Sequence, residues 1–234
     1  MNKTAIIIPS RLDAQRLPNK PLKLINNKEM ILHVYEAAKK SNAGEVYVAT
    51  PDKAIFELVS NYGGKAVLSS ETHNTGTDRI FEVFKNTLKS LPNIEPKIIK
   101  NLINYMQQGK CEVGTLASEI KNNFELEDEN IVKVLVKEKL KEGIFSEALD
   151  FLRVNPGQNH KTYHHVGIYA FTSIALTKYV SLKRSKLELN RKLEQLRAME
   201  NGMSIHVGYI NSSPLSVDTE KDLFRIKKLM EKNE

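Results

Sequence analysis

A chain of 234 residues with 41% apolar and 27% charged side chains has the composition of a globular protein and the length for one large domain or two lobes. It holds no run near the ~18 consecutive apolar residues that a membrane span needs, and its single cysteine, Cys111, excludes an internal disulfide. The net charge is 35 − 28 = +7, and +5 of it (eight Lys/Arg against three Asp/Glu) falls within residues 1–40, a tilt that suits an anionic ligand near the N-terminus. With no RNA-recognition motif and no basic run interleaved with aromatics, a small phosphorylated ligand is expected rather than nucleic acid.

In chain order, residues 4–9 read as a buried strand rather than a secretory signal, because the apolar run stops at Pro9 and Arg11 and Arg16 follow. Together with the lone cysteine, this favours the cytoplasm. A helix over 30–40, a strand over 45–50, a helix over 52–62 with Asp52 as its cap and Gly63-Gly64 as its stop, a strand over 65–68 and a helix over 76–89 continue a βαβ alternation. There the alternation breaks: through Leu91-Pro92-Asn93-Ile94-Glu95-Pro96 the chain enters another helical pattern, 97–108, with no strand between. Strands over 112–120, 131–138 and 164–171 suggest an antiparallel extension of the sheet. Helices over 176–182 and 187–199, a strand over 204–210 and a helix over 218–232 complete the pattern. The expected architecture is α/β, a mostly parallel sheet flanked by helices with that extension, in one domain over 1–234 whose halves are 1–110 and 111–234.

The loop after the first strand, Pro9-Ser10-Arg11-Leu12-Asp13-Ala14-Gln15-Arg16-Leu17-Pro18-Asn19-Lys20-Pro21, carries three cations between prolines. Ligands of open α/β sheets bind outside the C-terminal strand ends, where this loop lies. Arg11, Arg16 and Lys20 there suit a triphosphate, the arginines by paired hydrogen bonds and the lysine as a point charge. Asn74-Thr75-Gly76-Thr77-Asp78-Arg79 opens a helix. Its first turn fits an anion site with Arg79 meeting a carboxylate, and equally a plain cap with a surface arginine. In an alternating strand His165, Gly167 and Tyr169 share one face. Leu189, Leu193 and Leu196 form a core stripe at i, i+4 and i+7, leaving Glu194 and Gln195 to bond hydroxyls. Asp218 suits either a helix cap or a metal ligand.

Ile-Ile-Pro-Ser-Arg followed by Arg-Leu-Pro-Asn-Lys-Pro-Leu, then Asn74 to Ile80, Asn130-Ile131-Val132-Lys133-Val134, His165-Val166-Gly167-Ile168-Tyr169, Leu193-Glu194-Gln195-Leu196-Arg197 and Val217-Asp218-Thr219 resemble, in order, the motifs of the CMP-Kdo synthetases, the 3-deoxy-manno-octulosonate cytidylyltransferases. The resemblance implies a Rossmann-like nucleotidyltransferase fold with a nucleotide-binding first half and a sugar-binding second half. It implies a reaction of CTP with Kdo giving CMP-Kdo for lipopolysaccharide assembly, Mg²⁺ as cofactor, and a homodimer. It carries CTP to Pro9, Ser10, Arg11, Arg16 and Lys20, with Arg11 and Lys20 catalytic. Kdo goes to Arg79, His165, Tyr169, Glu194 and Gln195, and Mg²⁺ to Asp218. The family's strand and Gln-Gly-Asp-x-Pro turn, whose aspartate holds Mg²⁺, have no counterpart here; about ten residues are missing before Leu91, a strand's length and a turn. Glu147, His164 and Arg191 replace an arginine, an arginine and a glutamate of the family, with Arg153 as a substitute for one lost cation. Another acidic sugar such as a sialic acid, or a catalytically silent nucleotide-binding remnant, are the alternatives.

Overall fold

A computed structural model describes residues 4–13, 17–70, 73, 75–87, 97–154, 157, 161–211 and 220–231. Its strands are β1 (Ala5–Pro9), β2 (Leu24–Ile25), β3 (Lys28–Glu29), β4 (Glu45–Thr50), β5 (Lys65–Leu68), β6 (Val113–Ser118), β7 (Lys133–Val136), β8 (Phe145–Leu152), β9 (Thr162–Phe171) and β10 (Ile205–Tyr209). Its helices are α1 (Met30–Lys40), α2 (Lys53–Asn61), α3 (Gly76–Thr87), α4 (Lys97–Gln107), α5 (Asn123–Glu127), α6 (Ser173–Ser181), α7 (Lys186–Arg191), α8 (Gln195–Glu200) and α9 (Glu220–Glu231), with a 3₁₀ turn at Lys20–Leu22. The chain forms two compact units, Met1–Lys97 with Leu215–Glu234, and Ile98–Pro214.

The first unit is built on a parallel sheet ordered β1-β4-β5. Val46 and Val48 of β4 face Ile31, Leu32 and Tyr35 of α1 and Ile55 and Val59 of α2, so helix residues one turn apart and alternate strand residues bury the same apolar layer. Gly44, at φ 156°, admits the turn into β4, since a Cβ there would meet the Thr4 carbonyl oxygen at 2.5 Å. β2 and β3 form a hairpin across Asn26-Asn27, both at positive φ (45° and 57°) as a type I′ turn requires. Leu17, Ile25, Met30 and Leu223 cluster beneath that hairpin and tie α9 to it, with Lys23 and Glu220 paired at 3.0 Å. Among the described residues α3 is followed by α4 with no strand between them; the junction at 88–96 lies outside those residues.

In the second unit five strands close into a barrel ordered β10-β6-β9-β7-β8, parallel only between β10 and β6. Closure leaves no strand edge exposed, and Val134, Phe151, Tyr163 and Val207 of the wall pack with Ala175, Tyr179, Leu193 and Leu196 of the helices. The antiparallel character was expected; closure was not, because β8 is poorly marked in the sequence. Its buried positions include Ser146 and Ala148, and its pairing with β7 slips between Leu135 and Val136. The single helix expected over 187–199 is two short ones: Lys192 adopts a left-handed conformation at φ 54° and ends α7. That break turns Leu189 out to solvent while Leu193 and Leu196 stay buried, so the proposed three-leucine stripe is corrected to two. α6 begins at Ser173, ahead of the expected start, because the Thr172 hydroxyl accepts from Ala175 N–H at 3.1 Å.

Candidate active site

The C-terminal ends of β1, β4 and β5 carry the first cluster. Ser10 N–H donates to the Ala49 carbonyl at 2.9 Å, holding the loop after β1 against β4. Asp52 stands at the N-cap position of α2, yet its carboxylate makes no capping bond and instead accepts Leu12 N–H at 2.9 Å. The expected cap is therefore a loop anchor, fixing the backbone beside Arg11. Asn19 N–H donates to the Leu12 carbonyl at 3.2 Å, so the loop returns on itself and sets Lys20 beside the Arg11 segment. Arg16 lies outside the described residues.

α3 starts against the same strand end: a Cβ on Gly76 would lie 3.6 Å from Pro9 Cγ. Thr75 and Asp78 cap it, Asp78 N–H donating to Thr75 Oγ1 at 3.3 Å and Thr75 N–H to Asp78 Oδ2 at 3.1 Å. The cap reading of this motif holds, but its surface arginine does not: Arg79 is buried and donates from Nη1 to Ser69 Oγ and to the Ser70 carbonyl (3.2 Å for the latter). Burial lowers the Arg79 pKa and the nearby Arg11 charge lowers it further, against Asp52 and Glu82. Two guanidiniums within electrostatic reach, beside the N-terminus of a twelve-residue helix, make this strand end a place for phosphate-like charge.

The second cluster sits on β9 in the barrel. β9 pairs Tyr169 with Thr115 and Val166 with Leu116, which leaves Gly167 and Ile168 without partners in β6. The expected strict alternation of His165, Gly167 and Tyr169 is thus broken by a bulge. The bulge still brings the two rings side by side, with centroids 5.4 Å apart, while Gly167 is exposed with open space beyond it. Burial pulls the His165 pKa down to about 3, so the ring is neutral. Tyr169 titrates well above the ordinary tyrosine range, through burial first and then the Glu194 charge. Its hydroxyl oxygen is buried with no hydrogen-bond partner among the described residues, a group left for something else to satisfy.

Glu194 and Gln195 open α8, and the Tyr179 hydroxyl donates to the Glu194 carbonyl at 2.9 Å. Behind them Glu188 and Arg197, both buried, form a two-pronged pair at 2.7 and 2.9 Å, with the Arg197 guanidinium 4.7 Å from the Tyr179 ring centre. Arg184 adds a bond to Glu188 at 3.0 Å. The sequence motif that ends at Arg197 assigns no role to Arg197 or Glu188.

Of the replaced positions, Arg191 pairs with Asp150 at 2.7 Å, Glu147 lies 3.6 Å from Lys137, and His164 lies 3.6 Å from Glu125. Arg153 donates to the Glu129 carbonyl at 3.0 Å, which engages it in the loop before β7. Asp218 lies outside the described residues, among which no group of three or more His, Cys, Asp or Glu side chains converges.

A cytidylyltransferase family profile matches residues 5–205. The 3-deoxy-manno-octulosonate cytidylyltransferase of Bartonella henselae is 39% identical, with 96% of this chain and 97% of that protein aligned, and the enzyme of that name from Brucella anthropi is 38% identical over 97% and 96%. The solved structure of a CMP:2-keto-3-deoxy-manno-octonic acid synthetase complexed with CTP superposes with a TM-score of 0.87 at 32% identity, covering all of both chains. The Bartonella henselae alignment runs over 238 positions but takes in only 96% of 234 residues, or 225, so 238 − 225 leaves about 13 internal positions for which this chain has no residue.

Proposed function

This chain belongs to the cytidylyltransferase family, and from that premise we propose that it activates Kdo with CTP, giving CMP-Kdo and pyrophosphate for lipopolysaccharide assembly. The observation that carries the reading is alignment over nearly the whole of both chains with CMP-Kdo synthetases at 36–39% sequence identity, together with the fold shared with a CTP-bound one at 32%. The relatives' names favour Kdo over a sialic acid, and a working enzyme over a silent remnant.

In the reaction the anomeric hydroxyl oxygen of Kdo attacks the α-phosphorus of CTP. A new P–O bond forms as the bond to the bridging oxygen breaks, pyrophosphate leaves with the electron pair, and the hydroxyl proton passes to solvent. Such a transfer is accelerated mainly by positioning and by charge neutralisation. Pro9 and Ser10 shape the phosphate loop, with Arg11, Arg16 and Lys20 gripping the triphosphate; Arg11 and Lys20 oppose the charge that grows on the departing oxygens. His165, Tyr169, Glu194 and Gln195 take the sugar. Arg79, committed to Ser69 and Ser70, shares the electropositive strand end with Arg11 and receives the sugar carboxylate.

The cofactor of this reading is Mg²⁺, which supplies neutralisation of the phosphate oxygens when bound. Magnesium is commonly held by one or two carboxylates and substrate phosphates rather than a protein cage. Asp218 would hold it, the Gln-Gly-Asp-x-Pro turn being absent from the sequence. The two units work as halves of one nucleotidyltransferase domain, in a cytoplasmic homodimer. Among the described residues no helix is long and apolar enough to cross a membrane. The test is pyrophosphate release from CTP with Kdo or N-acetylneuraminate as acceptor: release with Kdo at least tenfold faster supports the assignment, and the reverse preference overturns it.

A further inference from the structure

The bulge in β9 leaves a gap in the barrel ladder that is filled by one side chain. Thr115, fully buried on β6, has its Oγ1 2.8 Å from the Ile168 carbonyl, 3.3 Å from the Val166 carbonyl and 3.0 Å from His165 Nε2. A threonine hydroxyl owns one proton and two lone pairs. Two oxygens 2.8 Å apart with no proton between them repel, so the hydroxyl proton lies toward Ile168. The remaining short contact, Oγ1 to Nε2, then requires its proton from the imidazole. We propose that Thr115 is a positioning residue that fixes His165 as the Nε2–H tautomer, leaving Nδ1 as a lone-pair acceptor for a hydroxyl of the sugar.

The surroundings agree with that assignment. No described residue bonds Nδ1, and the edge-on Phe151 ring (centroids 5.1 Å apart) and the Tyr169 ring hold the imidazole plane in place. Burial holds the ring neutral far below physiological pH. His165 therefore recognises a donor and neither pairs with the sugar carboxylate as a cation nor takes a proton as a base. Thr115 acts only through it. A valine has the same shape but no hydroxyl, whereas a serine keeps the hydroxyl without the methyl group.

The sugar contact rests on the function proposed above; the tautomer does not. Long-range ¹H–¹⁵N spectra of the ¹⁵N-histidine-labelled full chain, with His165 assigned by its loss in His165→Gln, read the tautomer directly. The wild type and Thr115→Ser are expected to show a protonated Nε2 and an unprotonated Nδ1. Thr115→Val is expected to show exchange with, or conversion to, the Nδ1–H form. In kinetics Thr115→Val raises KM for Kdo about tenfold, one hydrogen bond's worth, with KM for CTP within about twofold, and Thr115→Ser restores most of the loss. A wild-type Nδ1–H tautomer or an imidazolium at pH 7.5 overturns the proposal, as does a Thr115→Val protein that folds and keeps both tautomer and KM. Should Thr115→Val not fold, the wild-type and Thr115→Ser spectra still decide the tautomer. No turnover with Kdo, beside the expected spectra, would fault the assigned reaction and leave the tautomer standing.

Discussion

Glu188→Gln removes one charge from the buried Glu188–Arg197 pair. Burial alone would raise the Glu188 pKa, but hydrogen bonds from Arg197 and Arg184 outweigh it and the net shift is downward. Both side chains are almost inaccessible, at 1% and 3% exposure. A glutamine retains one acceptor for Arg197 but removes the negative charge that opposes the buried guanidinium. Breaking a buried pair from one side costs about 3–5 kcal/mol. For a chain of this length that lowers Tm by roughly 6–20 °C at ~2–4 °C per kcal/mol. Arg197→Met in the same background removes the stranded charge and is expected to recover at least half of the loss, about 2 kcal/mol, so the coupling energy exceeds that figure by whatever Arg197→Met costs alone. The assay is urea unfolding of the wild type, the two single variants and the double variant. Additive losses would refute the reasoning, since they would mean that the two side chains do not depend on each other. The sign of the pH dependence follows from the depressed pKa: the pair's contribution is present above the unfolded carboxylate value and is lost as pH falls through the lower folded value. Acid unfolding of Glu188→Gln therefore lacks that part of the wild-type loss.

Asp52→Ala is expected to raise KM for CTP about fivefold by freeing the Leu12 amide and the backbone beside Arg11, while Asp52→Asn, which keeps an acceptor oxygen, stays within about twofold; steady-state kinetics with varied CTP decides it. The thiol of Cys111, buried and pushed up to about 11 by that burial, is expected to react with a disulfide reagent at pH 8 at least 100-fold more slowly in the folded chain than in guanidinium, as read by absorbance. With the aspartate-bearing turn missing, turnover is expected to need at least tenfold more Mg²⁺ for half-saturation than the Bartonella henselae enzyme, and Asp218→Asn to lower kcat/KM at least 100-fold; a metal titration of both enzymes side by side measures this.

Much of the first unit was legible because its signals are local. Alternating β-branched runs, helices ended by glycines and a proline-bounded cationic loop each specify their structure within a dozen residues, and β1, β4, β5, α1 and α2 lie where the pattern puts them. The barrel was harder. β8 buries Ser146 and Ala148 alongside Phe151, a weak strand signal, and closure depends on partners up to about 90 residues away, as between β6 and β10, which no local period records. The site was legible in its residue types and less so in their roles. Asp52 reads as a cap by position, and only the folded loop shows its carboxylate turned to Leu12. Arg79 reads equally as a carboxylate contact and as surface charge, and only the end of β5 shows what buries it. His165 and Tyr169 were placed by strand alternation, yet meet through a two-residue bulge that alternation forbids. Thr115 carried no signal at all, since a threonine in a strand is ordinary.

The most direct measurement is ³¹P NMR of the purified chain with CTP, Kdo and saturating Mg²⁺. The account predicts that CTP resonances give way to one phosphodiester and one pyrophosphate in equal amounts, and only when Kdo is present. CTP that binds yet remains intact, or pyrophosphate that forms without a sugar-linked phosphodiester, would contradict it.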